Sequence, residues 1–174
     1  GGSPALYDDL LIISCDGNDV QFVVALDKHT GKVKWKKSRQ GYQAYSTPLV
    51  LKLPDGDQVI SPGAFRAISY DPRNGKERWH VTYGEGFSNV PRPVYGDGLV
   101  FICTGFQQAS LLAVRLDGKV QWKLDRGVPL TPSPLLVGNE LYLVTDNGIV
   151  TCLDAKTGKE YWRARIGGNH SASP

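Results

Sequence analysis

The residue types that most often perform catalysis occur in this sequence, but not at the spacing of a catalytic or metal site. His29, His80 and His170 belong to separate segments, and no Gly-x-Ser-x-Gly sequence marks a nucleophile. The acidic segments at 16–19 and 55–57 contain carboxylates of the kind that bind calcium, yet neither has the full spacing of an EF-hand loop. We interpret both as polar turns and predict no catalytic, cofactor-binding or metal-binding residue.

The three cysteines, Cys15, Cys103 and Cys152, cannot all pair with one another. No Cys-x-x-Cys pair and no histidine at ligand spacing accompanies them, and unpaired cysteine is among the most buried residue types. We therefore expect buried thiols, with a disulfide or a metal site as the alternatives.

Aromatic and arginine residues in polar segments are better candidates for function, because these residue types are favoured at binding surfaces. We predict a binding face on the loops that contains Tyr42, Tyr45, Phe65, Arg66, Phe87, Arg92 and Phe106. The alternative is that Tyr45 and Phe87 fill the interior beneath the loops instead of binding a partner.

The elements that position these loops are repeats marked by tryptophan. Each tryptophan is preceded four positions earlier by glycine, and the pairs recur about every 40 residues: Gly31 and Trp35, Gly75 and Trp79, Gly118 and Trp122, Gly158 and Trp162. Identity repeated in every unit is what a packing device requires. We interpret these eight residues as structural, with each tryptophan docking between neighbouring units.

The last repeat shows the internal pattern of a unit. Short apolar or alternating runs at 134–137, 141–145, 149–153 and 160–166 are separated by turn residues, which predicts a four-stranded antiparallel meander. In the fourth run, Trp162, Ala164 and Ile166 alternate with polar residues, so we expect one buried face.

Such small sheets bury their faces by stacking radially, as the blades of a β-propeller. No segment has sustained helical periodicity, so we predict an all-β fold with four blades in a single segment, 1–174. The blades are expected at about 4–39, 46–83, 92–125 and 133–167. Loops of a propeller converge around its channel, and Arg92 stands where the other repeats have serine or threonine before proline. We expect Arg92 to point into the channel and bind an anion or a partner's carboxylate.

The phrase Ala-x-Asp-x-x-Thr-Gly-Lys-x-x-Trp, complete at 25–35, resembles the tryptophan-docking motif of the pyrroloquinoline quinone (PQQ) repeat family. Repeat two departs from it at Ser69 and Asn74, and repeat three is one residue shorter. The family includes eight-bladed assembly lipoproteins of the bacterial outer membrane and eight-bladed quinoprotein dehydrogenases. The resemblance implies a non-catalytic scaffold that binds proteins, or alternatively part of a dehydrogenase that uses PQQ and calcium.

Four blades with the rotation of an eight-bladed ring leave blades one and four exposed at the ends. We therefore expect a half-propeller that forms a two-fold homodimer, in which blade four of each chain packs on blade one of the other. A four-bladed monomer is the alternative.

The composition is that of a secreted type of globular domain, with 41% apolar residues and a net charge of only +3. This charge is too small and too scattered to indicate nucleic-acid binding, and no apolar stretch approaches the length of a membrane span. The lack of methionine and the Gly1-Gly2-Ser3 start indicate a trimmed or engineered chain. The family resemblance implies a periplasmic or extracellular bacterial parent protein.

Overall fold

Four antiparallel sheets of four strands, one per repeat, make up the computed structural model, which describes residues 2–174. Blade 1 contains β1 (Ala5–Tyr7), β2 (Leu10–Asp16), β3 (Gln21–Asp27) and β4 (Val33–Ser38). Blade 2 contains β5 (Leu49–Leu51), β6 (Gln58–Pro62), β7 (Arg66–Tyr70) and β8 (Glu77–Thr82). Blade 3 contains β9 (Val94–Gly96), β10 (Leu99–Cys103), β11 (Leu111–Arg115) and β12 (Val120–Leu124). Blade 4 contains β13 (Leu135–Val137), β14 (Glu140–Val144), β15 (Ile149–Asp154) and β16 (Glu160–Arg165).

Every blade is a simple meander in which consecutive strands pair, so the predicted all-β architecture of four four-stranded blades is confirmed. The innermost strands of neighbouring blades approach one another, β1 beside β5 and β9 beside β13. Within the described residues, no helix is long and apolar enough to cross a lipid bilayer.

The hydrophobic core is divided among the three spaces between neighbouring blades. Ile12, Trp35 and Ile68 belong to the cluster between blades 1 and 2. Trp79 and Ile102 belong to the cluster between blades 2 and 3, and a third cluster joins blades 3 and 4. Each blade is therefore stabilised mainly by its neighbour, as expected for a sheet too small to bury its own faces.

The tryptophan of one blade packs on the turn glycine of the next. A Cβ atom added to Gly75 would lie 2.6 Å from Trp35 Cε3, and one added to Gly118 would lie 2.9 Å from Trp79 Cβ. Gly158 approaches Trp122 in the same way, at 2.8 Å from Cε3. Glycine is therefore required for two reasons: a Cβ atom would collide with the tryptophan, and these turn positions have positive φ angles.

The third blade has a tighter version of this turn. In blades 1, 2 and 4 the glycine N–H donates to the carbonyl four residues earlier, as Gly31 does to Asp27 at 2.8 Å. In blade 3, Gly118 N donates to Arg115 O, three residues earlier, at 2.9 Å. The shorter repeat thus changes the turn but keeps the glycine against Trp79.

The face of the last strand that its alternation predicts to be buried is exposed in the single chain, as expected for an end blade. All six residues of β16 are exposed, and Trp162 retains 46% of its accessible surface. β8 and β12 also have an apolar residue two positions after their tryptophan, but no later sheet of the described chain packs against β16. Burial of the face depends on a neighbouring blade and is not determined by the strand's own sequence.

The aspartate that opens the turn of blade 1 makes stability depend on pH. Asp27 Oδ1 accepts hydrogen bonds from Thr30 Oγ1 at 3.0 Å and Thr30 N at 2.9 Å, and Lys34 Nζ lies 3.2 Å from Oδ2. These contacts, led by the Thr30 hydroxyl, lower the pKa of Asp27 from 3.8 to about 2. Because the pKa is lower in the folded state, the stabilisation is complete above pH 3.8 and is lost as the pH falls towards 2.

We accordingly expect the thermal unfolding midpoint to decrease as the pH is lowered from 4 towards 2, and Asp27→Asn to weaken that dependence. Differential scanning calorimetry across this range measures both. The matched control is Asp55→Asn, at an exposed aspartate whose side chain makes no hydrogen bond with the described residues. An identical pH dependence in wild type and Asp27→Asn would contradict the assignment.

Candidate binding face

The connections between blades and the β2–β3, β6–β7 and β10–β11 hairpins converge on one face of the molecule. Backbone hydrogen bonds join them into a continuous layer: Ser88 N to Gln43 O at 2.8 Å, Tyr45 N to Asn89 O at 2.8 Å and Phe65 N to Gly86 O at 2.8 Å. Short bridges also link Asp16 with Ala44 and Phe87 with Phe106. The loops are therefore positioned by each other as well as by the strands.

Four of the predicted loop residues form an unbroken chain of aromatic contacts, which we call the aromatic row: Phe65, Tyr42, Phe87 and Phe106. Ring centroids lie 5.6 Å apart for Tyr42 and Phe65, 5.8 Å for Tyr42 and Phe87, and 5.5 Å for Phe87 and Phe106. Tyr42 and Phe106 remain 57% and 60% exposed. The row thus presents apolar surface that the chain itself does not cover.

Phe65 has an unusual backbone conformation for so large a side chain. Its φ angle is 68°, in the left-handed region, and Ser88 and Gln107 on the same face have φ angles of 53° and 71°. A non-glycine residue in this region costs about 1–2 kcal/mol. Hydrogen bonds from Phe65 N to Gly86 O and from Tyr83 N to Phe65 O hold it there. Such strain is concentrated at functional sites in proteins.

A buried ion pair supports the loop layer from beneath. Arg39 Nε donates to Asp16 Oδ1 at 2.8 Å, its Nη2 donates to Asp16 Oδ2, and both side chains are almost fully buried. Arg39 Nη1 also donates to Ser61 O at 3.1 Å and Ser61 Oγ at 2.9 Å, which ties blade 1 to blade 2. Burial alone lowers the pKa of Arg39, but the hydrogen bonds and charge of Asp16 outweigh it and raise the pKa.

The polar network continues towards blade 3 through Asn89. Its Nδ2 donates to Gly63 O at 2.7 Å and Tyr83 Oη at 2.8 Å, while its Oδ1 accepts from Gly105 N. Tyr83 donates to the same Gly63 carbonyl, and burial raises the pKa of Tyr83. Blades 1, 2 and 3 are therefore joined at this face by hydrogen-bonded side chains inaccessible to solvent.

Beside the aromatic row lies a cavity of about 550 Å³, which we call the loop pocket. It is lined by Asn18, Tyr42, Gln43, Phe65, Glu85, Phe87 and Gln107, which come from the loops of blades 1 to 3. The lining contains three aromatic rings, one carboxylate and no basic side chain. Three of the predicted face residues, Tyr42, Phe65 and Phe87, line this volume together.

The other predicted face residues lie apart from the aromatic row. Tyr45 is 39% exposed and contributes its backbone N–H to the loop layer, and Arg66 begins β7. Arg92 instead lines a concavity between the innermost strands, together with Ser3, Pro4, Ala5, Leu6, Thr47, Val50 and Lys52. Its orientation towards the channel and its ligand both stay predictions.

PQQ and calcium would each need particular partners among the side chains of the inner concavity. Arg92 brings a cationic side chain that matches the carboxylates of the quinone, whereas Lys52 is already paired with Asp8, with Nζ 2.7 Å from Oδ1. No carboxylate lines the concavity, whereas calcium is bound by six to eight oxygen ligands that usually include aspartate or glutamate. Across residues 2–174, no cluster of three or more His, Cys, Asp and Glu side chains is arranged to hold a metal. The lining of this concavity therefore offers a cation for the quinone carboxylates but no carboxylate ligand for calcium.

The acidic segments have structural partners in the structure. Asp16 pairs with Arg39, whereas Asp57 accepts from Tyr7 Oη at 2.7 Å and from Leu53 N at 2.9 Å. Burial raises the pKa of Tyr7 to about 12. The hydrogen bond from Tyr7 to Asp57 connects β1 with the β5–β6 turn of the next blade.

The cysteines are all free thiols, with Cys103 and Cys152 buried and Cys15 half-buried. Burial raises the pKa of Cys103 to about 12, which keeps this thiol protonated and unreactive.

Sequence reasoning did not identify Asp16, Arg39 or Glu85 as members of this face. The ion pair occurs only in blade 1 among the described residues, so no repeat marks it. Glu85 gives no signal by type or spacing, because one glutamate in a polar loop is ordinary. Only the convergence of loops from three blades brings it to the aromatic rings.

Comparison with known proteins agrees with this architecture. The family model described as outer membrane protein assembly factor BamB matches residues 1–164. BamB of Alteromonas naphthalenivorans is 28% identical, covering 99% of this chain and 43% of the relative. BamB of Burkholderia pseudomallei strain K96243 is 39% identical, covering 76% of this chain and 37% of the relative. The chain thus spans less than half the length of these relatives.

Solved structures show the same fold at low sequence identity. BamB from Moraxella catarrhalis superposes with a TM-score of 0.75 at 15% identity, over 94% of this chain and 51% of that one. A quinohemoprotein alcohol dehydrogenase from Comamonas testosteroni gives 0.71 at 18% identity, over 98% and 35%. An assembly factor and a dehydrogenase share the fold, so the family assignment comes from the sequence match: this chain belongs to the PQQ-repeat β-propeller family represented by outer membrane protein assembly factor BamB.

Proposed function

We propose that the chain is a non-catalytic β-propeller module of a periplasmic or extracellular bacterial protein, and that it binds a protein partner through the aromatic row. The observation that carries this proposal is the row itself: four aromatic side chains in contact, two of them mostly exposed, on loops fixed by backbone hydrogen bonds. Rigid, exposed aromatic residues supply much of the binding energy of protein interfaces. The family match to an assembly factor supports the same function.

The partner can be identified by photo-crosslinking in the parent bacterium. We would place p-benzoylphenylalanine at position 106, in the aromatic row, or at position 161, on β16. A protein crosslinked from position 106 alone would then be identified by mass spectrometry and purified. We expect Tyr42→Ser/Phe106→Ser to bind it at least about tenfold more weakly than wild type, with an unchanged unfolding midpoint.

Tyr161→Ser is the matched control, because Tyr161 is similarly exposed, at 51%, but lies on the outer strand. Equal affinity of the wild type and the double variant would overturn the proposed face. Arg92→Ala, measured against the same partner, tests the separate hypothesis that Arg92 binds a carboxylate; unchanged affinity would oppose it.

A quinoprotein dehydrogenase is the alternative, favoured by the structural similarity to an alcohol dehydrogenase of the same fold. Reconstitution with PQQ and calcium, followed by dye-linked alcohol oxidation, distinguishes the two functions. The non-catalytic module gives no turnover above the free cofactor. Saturable turnover would overturn the proposal in favour of the enzyme.

We further propose that two copies of this chain pack head to tail and close an eight-bladed ring. Trp162 is 46% exposed on blade 4, while a Cβ atom on Gly31 of blade 1 would meet nothing within 4 Å. In the contact of Trp35 with Gly75, the tryptophan of one blade covers the turn glycine of the next. Within the described chain, Trp162 has no following glycine to cover, and Gly31 has no preceding tryptophan to cover it. Light scattering after size exclusion should give twice the 19.0 kDa of one chain. A concentration-independent monomer would contradict the ring.

A further inference from the structure

The loop pocket combines three aromatic rings with a single negative charge. Tyr42 and Phe65 meet at an interplanar angle of 85°, so their rings form two perpendicular walls, and Phe87 is inclined to Tyr42 by 46°. All three line the same cavity of about 550 Å³. Ring faces carry negative electrostatic potential and attract cations placed within about 6 Å of their centres.

Glu85 adds a carboxylate that has no partner of its own. The residue is exposed, and within residues 2–174 its side chain takes part in no hydrogen bond or ion pair; only its N–H is engaged, with Gln108 Oε1 at 3.3 Å. Asn18, Gln43 and Gln107 add amide oxygens that accept hydrogen bonds. The chemistry of the pocket is therefore complementary to a cation that also donates hydrogen bonds.

We propose that the loop pocket binds the side-chain ammonium group of a lysine on the protein partner. The proposal rests on the proposed function, because it places that partner on the same face. Lysine suits the pocket better than arginine, since its ammonium is compact and directs three N–H groups outward, whereas a planar guanidinium prefers to stack parallel to one ring. The alkyl stem of lysine would contact the aromatic walls as the charge approaches Glu85.

Matched peptides test this on the purified chain, without the natural partner. We would titrate acetyl-Gly-Lys-Gly-amide and acetyl-Gly-norleucine-Gly-amide, monitoring the aromatic resonances of the pocket by NMR at low ionic strength. Norleucine keeps the apolar stem and lacks the charge. We expect the lysine peptide to bind about tenfold more tightly, from the cation–π contact and the partly screened ion pair together.

Glu85→Gln should weaken the lysine peptide several-fold and leave the norleucine peptide unchanged. Glu77→Gln, an exposed carboxylate on β8 outside the pocket, is the control and should change neither affinity. Tyr42→Leu should also weaken the lysine peptide, because leucine preserves apolar area but has no ring. Both pocket positions are exposed, so we expect the variants to unfold at the wild-type temperature.

Equal affinity for the two peptides, or an unchanged lysine affinity in Glu85→Gln, would overturn the proposal. Choline provides a further test. If choline binds and the lysine peptide does not, the pocket is a small-molecule ammonium site and the lysine assignment is wrong. None of these results depends on crosslinking from position 106. The lysine assignment can therefore fail while the aromatic row still binds a protein. Conversely, the loop pocket can bind the lysine peptide while the aromatic row fails to bind a protein.

Discussion

Replacing Arg39 by alanine is expected to lower the free energy of unfolding by about 3–5 kcal/mol, because it leaves the buried carboxylate of Asp16 without its counter-charge. The two side chains retain only 4% and 1% of their accessible surface. Arg39 also donates to both oxygen atoms of Ser61, so its removal breaks the polar contact between blades 1 and 2. Urea unfolding followed by tryptophan fluorescence measures the loss.

The double variant Asp16→Leu/Arg39→Met provides the control. It replaces both charges by apolar groups and so avoids an unpaired buried ion; we expect it to recover most of the stability lost in Arg39→Ala. A loss below about 1 kcal/mol in Arg39→Ala, the size found for exposed pairs, would show that water reaches Asp16 and that the pair is not buried in solution.

Replacing Trp79 by alanine is expected to cost about 3–5 kcal/mol, as for other large buried aromatic residues. Trp79 is 8% exposed and lies in the cluster between blades 2 and 3, against Gly118. Its Nε1 donates to Gln58 Oε1 at 2.8 Å, an oxygen that also accepts from Ser69 Oγ. The substitution therefore creates a cavity and removes a buried hydrogen bond.

Trp162→Ala is the matched control, since the same residue type at the same repeat position is 46% exposed on blade 4. Measured on the monomer at low concentration, it should cost less than about 1 kcal/mol. Comparable losses for Trp79→Ala and Trp162→Ala would mean that the repeated tryptophans do not stabilise the chain by packing between blades.

The glycines give an independent measure of the same contact. Gly31 and Gly75 both have φ angles of +68°, so alanine at either position incurs the left-handed backbone strain of about 1–2 kcal/mol. At Gly31 nothing lies within 4 Å of the added Cβ, whereas at Gly75 it meets the ring of Trp35. The extra destabilisation of Gly75→Ala over Gly31→Ala reports the close approach of tryptophan to the next blade.

The fold was predictable from the sequence because its determinants are repeated. Turn residues, alternating strands and the spacing of glycine and tryptophan recur, so the weak signals of the four repeats support one another. Burial in the last strand was not predictable in this way. Trp162 has the sequence context of Trp35, and their different exposure comes only from whether another blade follows in the structure.

The contacts among the loop residues were predictable in part. Aromatic residue type selected Tyr42, Phe65, Phe87 and Phe106, and the structure brings these four into contact. The ion pair of Asp16 and Arg39 escaped prediction because a buried charge looks the same in sequence as an exposed one. Which loop residues share a pocket depends on the angle between blades, a quantity that no single repeat encodes.

The contact between tryptophan and glycine has a direction: each blade presents its tryptophan to the following blade and its glycine to the preceding one. Duplication or deletion of one whole repeat in the gene would therefore join faces that already match, and no new interface would have to evolve. The loops that form the candidate binding face take no part in this contact, so their sequences are free to diverge from blade to blade. Unique residues such as Arg39 and Glu85 can consequently accumulate on one face of an otherwise repetitive molecule.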